Sequence, residues 1–189
     1  FTLTNRFLQG VDADRQLTSN EQFDVQLEMF EYAQSLGRAK RAHPADDVWT
    51  MLTTVEVDTD EGGRTTLSEH ELDMFFILLT VAGSETTRNA ISGAVHALVE
   101  HPDQHARLRA IVAAGDGVQA PALRTAVDEI LRWTSPVAYF ARRATEDLRI
   151  GDVEIAAGER VTLWYPSANR DDAEFARPFE FDLGRARNH

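Results

Sequence analysis

The sequence contains no cysteine, so disulfide bridges, zinc–thiolate centres and cysteine nucleophiles are excluded within its 189 residues. It is also short of basic residues: 19 Lys and Arg stand against 31 Asp and Glu, a net charge of −12. That balance provides no basic nucleic-acid footprint and disfavours anionic membrane surfaces. No apolar run reaches the length of a membrane span, and the longest is broken by Asp73. Internal repeats and low-complexity tracts are absent. So is an initiating Met: the chain opens on Phe1 and stops at "GRARNH" in mid-segment. We therefore expect a piece of a longer protein with neither native end, and a cytoplasmic setting by default.

What is present is ordinary for a soluble globular protein: 43% hydrophobic and 26% charged residues. The length suits one continuous domain spanning 1–189, or part of a larger one. Its first two-thirds read as helical. After Asn20, a candidate N-cap, Phe23, Leu27, Phe30, Ala33 and Leu36 fall on one stripe. "HPADD" ends that helix, and Asp46 is placed to cap a shorter one through Val48, Met51 and Leu52. "VDTDEGGRTT" reads as an acidic, Gly-containing loop, without the spacing of a calcium loop. Ser68 to Glu71 fits a capping box that opens a long helix. No proline interrupts it from Glu69 to about Glu100, roughly 48 Å at about 1.5 Å per residue.

"HPDQ" begins a further helix with Leu108 and Ile111 inward, and "GDGVQAPA" leads to another with Leu123, Val127, Ile130 and Leu131 on one face. From Pro136 the period changes. "VAYFARRA", "LRIG" and "VEIAAGERVTLWYP" alternate like short strands, with turns at Gly151-Asp152 and Ala157-Gly158. A polar, irregular segment closes the chain. The expected fold is mainly α with a small antiparallel β part.

Two constellations could carry chemistry. The first lies at the middle of the long helix, "AGSETT". Gly83 costs about 1 kcal/mol against Ala in a helix interior, and hydroxyls compete for backbone carbonyls. Together they permit a local widening with room for a ligand. Glu85 and Thr86 supply an ionisable group and a hydroxyl, the minimum for a proton relay into a dry pocket. The bland alternative is a Gly83 that serves close helix packing beside a solvated Glu85 and Thr86. The second is "DEILRW", where Glu129 and Arg132 share a helix face at i, i+3. Flanked by Leu131 and Trp133, the pair can be buried, and would then need a third partner, Arg185 or Arg177. His101 and His105 share a face without a third metal ligand, and His189 is uninformative; we expect no metal site built from side chains. Trp49, Trp133 and Trp164 read as packing residues.

The order of these motifs is more specific than any one of them. "AGSETTRNAISGAVHALVEHPDQ", "AVDEILRWTSPV", "SANRD" and "FEFDLGR" follow one another as in the cytochrome P450 family of the soluble bacterial type, which the whole chain resembles. The resemblance implies a partial P450 fold and haem b. It implies a haem-thiolate monooxygenase that inserts one atom of O2 into an apolar small molecule. Electrons would come from a separate ferredoxin or flavoprotein. Ala82 and Gly83 would form the oxygen-binding groove, and Glu85 and Thr86 the acid–alcohol pair that steers protons to bound dioxygen. Glu129, Arg132 and Arg185 would support the haem-binding core, although Glu180 stands where many members carry an arginine before the Phe. Arg142, five residues before Asp147, would contact a haem propionate, with Arg143 as the alternative. Val81, Val137, Ala138 and Tyr139 would line the substrate pocket, and the Phe23 stripe its roof. The haem-ligating cysteine of the family is absent from this chain, so these residues alone are expected to be inactive. The alternative is a P450-fold protein that binds a ligand or partner without oxidising anything; an unrelated helical module is the third reading.

Overall fold

Three helices of this chain start where a side chain satisfies the orphan N–H groups of a first turn, and three others start at a proline. A computed structural model describes residues 2–9, 18–59, 62–115 and 117–186. Asp60, Glu61, Asp116 and His189, named above, lie outside them. The helices are α1 (Thr2–Gln9), α2 (Ser19–Ala42), α3 (Val48–Thr54), α4 (Glu69–Glu100), α5 (Pro102–Ala113), α6 (Pro121–Thr134) and the single turn α7 (Tyr165–Ala168). The cap of α2 is Thr18, two residues before the expected Asn20. Glu21 donates its N–H to Thr18 Oγ1 at 3.3 Å, and its carboxylate receives the Thr18 N–H at 2.8 Å. Thr18 has Glu21 three residues on whereas Asn20 has Phe23, so of these two only Thr18 can close that reciprocal box. Similarly α3 is capped by Asp47 and not Asp46, with Thr50 N–H donating to Asp47 Oδ1 at 2.8 Å. The Ser68–Glu71 box forms as expected and starts α4 at Glu69.

The chain divides into two compact units, with the boundary inside α4 between Glu85 and Thr86. In the first unit α2 buries Val25, Met29, Ala33 and Gly37. This replaces the predicted stripe: Phe23 is 64% and Leu27 47% exposed, Phe30 and Leu36 are half-buried, and only Ala33 is shared. The buried residues form a single i, i+4 ridge that shrinks toward Gly37. Fit into a neighbour's groove decided the face, not summed hydrophobicity. Tyr32 and Trp49 each place a ring 5.5 Å from Phe76 of α4, and Gln34 donates to the buried Asp73 at 3.2 Å. The acidic segment expected as a loop is a hairpin. β1 (Glu56–Asp58) pairs antiparallel with β2 (Arg64–Thr66), and Arg64 bonds across it to Glu56 at 3.1 Å. A charged ladder of this kind hides from an apolar-alternation search.

In the second unit Ala97, Ala126, Phe181 and Leu183 are buried together, with Leu98, Leu108, Ile111, Ile130 and Trp133 packed around them. Leu108 and Ile111 thus face the core as expected. On α6 the predicted face is wrong in part: Val127 and Leu131 are exposed, while Ala126, Glu129 and Arg132 are buried. Close approach of α4 and α6 rests on Gly93, where a Cβ would fall 2.7 Å from Thr134 Cγ2. The β part follows the predicted turns. β3 (Tyr139–Arg143) pairs antiparallel with β6 (Arg160–Trp164), and β4 (Leu148–Ile150) with β5 (Val153–Ile155) across a turn at Gly151, φ +58°. The fold is mainly helical with small antiparallel sheets, as expected.

Candidate active site

Of the two constellations, the one on α6 has become a closed network. Glu129 is fully buried, Arg132 is 3% and Arg185 7% exposed. The i, i+3 spacing lets Arg132 grip Glu129 with two bonds, Nε to Oε2 at 2.7 Å and Nη2 to Oε1 at 2.9 Å. Its remaining N–H groups reach the closing segment: Nη1 donates to the carbonyls of Asn169 at 2.7 Å and Pro178 at 2.9 Å, and Nη2 to that of Glu180 at 3.1 Å. Arg185 is the third member. Its Nε donates to Glu129 Oε2 at 3.0 Å, its Nη2 to the carbonyls of Arg177 and Glu180, and its Nη1 to that of Ala176. The Asp182 N–H completes Glu129 at Oε1, 2.9 Å away. All five donors of Arg132 and both oxygens of Glu129 are thus satisfied, the condition under which buried charges are tolerated.

Arg177, the alternative third partner, is instead on the surface, paired with Glu180 at 2.6 Å. Glu180 departs from the family's pattern in its side chain only; its carbonyl accepts from both buried arginines. A fourth arginine, missed by the sequence reading, closes the end of α6. Arg170 of "SANRD" donates to the carbonyls of Arg132 at 3.2 Å and Trp133 at 2.8 Å, with its guanidinium 4.8 Å from the Trp133 ring. Burial, and then the positive charge of Arg132, hold it below the usual arginine range. Trp133 is therefore a platform for cations as well as a core residue.

The first constellation lies on an unbroken helix: α4 is helical at every position from Glu69 to Glu100, with no wider turn at 82–87. Glu85 and Thr86 are half-buried, Val81 likewise, and Ala82 and Gly83 are exposed. A Cβ at Gly83 would meet nothing within 4 Å, so among the described residues close packing does not explain that glycine. The packing glycine of α4 is Gly93.

On β3 the side chains alternate. Arg142 and Phe140 share one face, the guanidinium 5.7 Å from the Phe140 ring, and Tyr139 takes the other, 4.9 Å from Trp164. The alternation thus sets Phe140, and not Tyr139, on the face of Arg142. Counting back by twos from Arg142 reaches Phe140 and Ala138, and that count was available in the sequence. Arg143 donates to the Gly158 carbonyl at 2.6 Å within the hairpin turn. His101 turns its Nδ1 to the Ala97 carbonyl at 2.8 Å and packs on Trp133 and Phe181; no group of three metal-ligating side chains occurs among the described residues.

Residues 19–186 match the family model described as Cytochrome P450. The chain belongs to the cytochrome P450 family. Over 188 residues this P450 chain is 43% identical to the methyl-branched lipid omega-hydroxylase of Mycobacterium tuberculosis, covering all of itself and 41% of that protein. It is 40% identical over 162 residues, 86% of its length, to the steroid C26-monooxygenase of Rhodococcus jostii, covering 31% of that protein. Among solved structures, the bacillaene polyketide synthase cytochrome P450 PksS of Bacillus subtilis superposes with a TM-score of 0.81 at 31% identity, over 99% of this chain and 44% of that one. This P450 chain thus spans about a third to two-fifths of the length of those relatives.

The family implies haem. Taken singly, residues present suit such a group: the exposed Arg142 guanidinium beside an aromatic face can meet a carboxylate, and in the other unit the bare backbone at Gly83 leaves open space beside α4. An axial thiolate is not among the 189 residues.

Proposed function

We propose that this chain is part of a cytoplasmic haem-thiolate monooxygenase carrying haem b. The reaction would be RH + O2 + 2e⁻ + 2H⁺ → ROH + H2O, with electrons from a separate ferredoxin or flavoprotein and an apolar, lipid-like or steroid-like substrate. The observation that carries this reading is the complete Glu129–Arg132–Arg185 network, in a P450 chain that also keeps Glu85 and Thr86 on α4. A fold repurposed for binding alone has no need of the acid–alcohol pair.

When bound, haem would supply the activation of dioxygen. The chain's own residues would do the rest. Arg142 would hold a propionate by a charge-assisted contact. Val81, Val137, Ala138 and Tyr139 would line the pocket wall, while Phe140 shares the strand face of Arg142. Ala82 and Gly83 would leave space at the helix surface. Glu85 would pass protons from solvent to the Thr86 hydroxyl, which would hand them on. Glu129, Arg132 and Arg185 would touch neither substrate nor haem, and would hold the closing segment in register.

The experiment is Thr86→Ala in the full-length protein, supplied with a ferredoxin pair and a long-chain methyl-branched fatty acid. We expect NAD(P)H oxidation to continue while hydrogen peroxide replaces most of the hydroxylated product. Product and NAD(P)H in the wild-type ratio would remove Thr86 from the proton path.

A further inference from the structure

The turn 181–185 presents Arg185 to Glu129, and it is held from a second side by α5. Gln104 and Arg107 lie at i, i+3 and so on one face of that helix. Gln104 Oε1 accepts the Leu183 N–H at 3.0 Å, and Arg107 Nη1 donates to Asp182 Oδ1 at 3.0 Å. The same Asp182 oxygen accepts the Gly184 N–H at 2.9 Å. Three successive amides of the turn thus have three separate acceptors: Glu129 for Asp182, Gln104 for Leu183, Asp182 for Gly184. Phe181 and Leu183 point into the core, 4% and 1% exposed. The remaining face of the turn is Gly184, and the Arg107 guanidinium occupies it. A Cβ there would lie 1.8 Å from Arg107 Nη2 and 2.3 Å from Cζ.

We propose that Arg107 is a positioning residue: paired with Asp182 and laid over the bare face of Gly184, it fixes the turn that carries Arg185 to Glu129. On the monooxygenase reading above, a displaced turn would also disturb the haem site, and the carbon monoxide spectrum reads that part separately. The ion pair is half-exposed on the arginine side, and such surface pairs contribute below about 1 kcal/mol. Its role is therefore in where the turn sits more than in how stable the fold is. Gly184 and Arg107 form one device, since any side chain at 184 must displace the guanidinium.

The test uses the full-length, haem-loaded protein with Arg107→Ala, Arg107→Lys, Gly184→Ala and the double variant Arg107→Ala/Gly184→Ala. Hydrogen exchange at Asp182 to Arg185 is measured beside the carbon monoxide spectrum and the thermal midpoint. We expect about tenfold faster exchange in each single variant. Part of the carbon monoxide complex should move from the thiolate to the thiol type, with little change in midpoint. Lys, lacking the planar guanidinium, should not rescue. The double variant should match either single one, because both remove the same contact. Wild-type exchange and spectrum in the single variants, or additive effects in the double, would overturn the role of Arg107. A wild-type protein with no thiolate-type band would overturn the monooxygenase reading and the haem part of this proposal with it; the exchange result would still decide whether Arg107 fixes the turn.

Discussion

Glu129 is the residue on which most of the second unit's polar order converges. It is fully buried and binds two arginines and one amide, so removing its charge strands Arg132 and Arg185. Glu129→Gln should cost about 3–5 kcal/mol, the range for breaking one side of a buried ion pair. A urea titration of the second unit's unfolding checks it; a loss below about 1 kcal/mol would mean that the network is far wetter than its burial indicates. Two residues of one helix give a contrasting pair. Gly83→Ala meets open space and gains helix propensity, so stability should stay level or rise by up to about 1 kcal/mol. Gly93→Ala drives a methyl against Thr134 and should lose about 1–3 kcal/mol. Equal effects at both positions, by thermal unfolding, would contradict the division between a site glycine and a packing glycine.

Among the elements, helix starts in the first unit are set by carboxylates whose protonation loosens them. Lys40, and then the Thr50 amide, hold the Asp47 carboxyl down at about 2, and the Thr18 and Ser68 hydroxyls lower Glu21 and Glu71. In each case the folded value lies below the unfolded one. The stabilisation is therefore present above the ordinary carboxylate range and is lost as pH falls, for Asp47 between 3.8 and about 2. Asp47→Asn should flatten the acid limb of the stability curve in that interval and leave stability near pH 7 lower; an unchanged acid limb would remove Asp47 as a contributor. These caps show what the sequence could tell. The 32-residue α4 was legible from its capping box and its freedom from proline. The buried faces of α2 and α6 were not. On α2 the ridge of Val25, Met29, Ala33 and Gly37 won over the more aromatic stripe, and on α6 the inward stripe is Ala126, Glu129 and Arg132, which no hydrophobic count selects. The Glu129–Arg132 pair was visible as a spacing; spacing left Arg185 and Arg177 open as its third member, and the family resemblance chose Arg185, which the hydrogen bonds of Glu129 bear out. Parity along β3 was visible but unused: it separates Tyr139 from the face that Phe140 and Arg142 share.

For the molecule as a whole, family and fold are secure, and the chain spans two-fifths of its M. tuberculosis relative. No described helix is long and apolar enough to cross a membrane. The central claim is that this network and this helix serve haem-thiolate chemistry. The most direct measurement is the carbon monoxide difference spectrum of the full-length gene product, reduced with dithionite after expression with a haem precursor. The account predicts a thiolate-type band that accounts for most of the bound haem. Haem bound with only a thiol- or histidine-type band, or no haem bound at all, would contradict it and favour a P450 fold kept for binding alone.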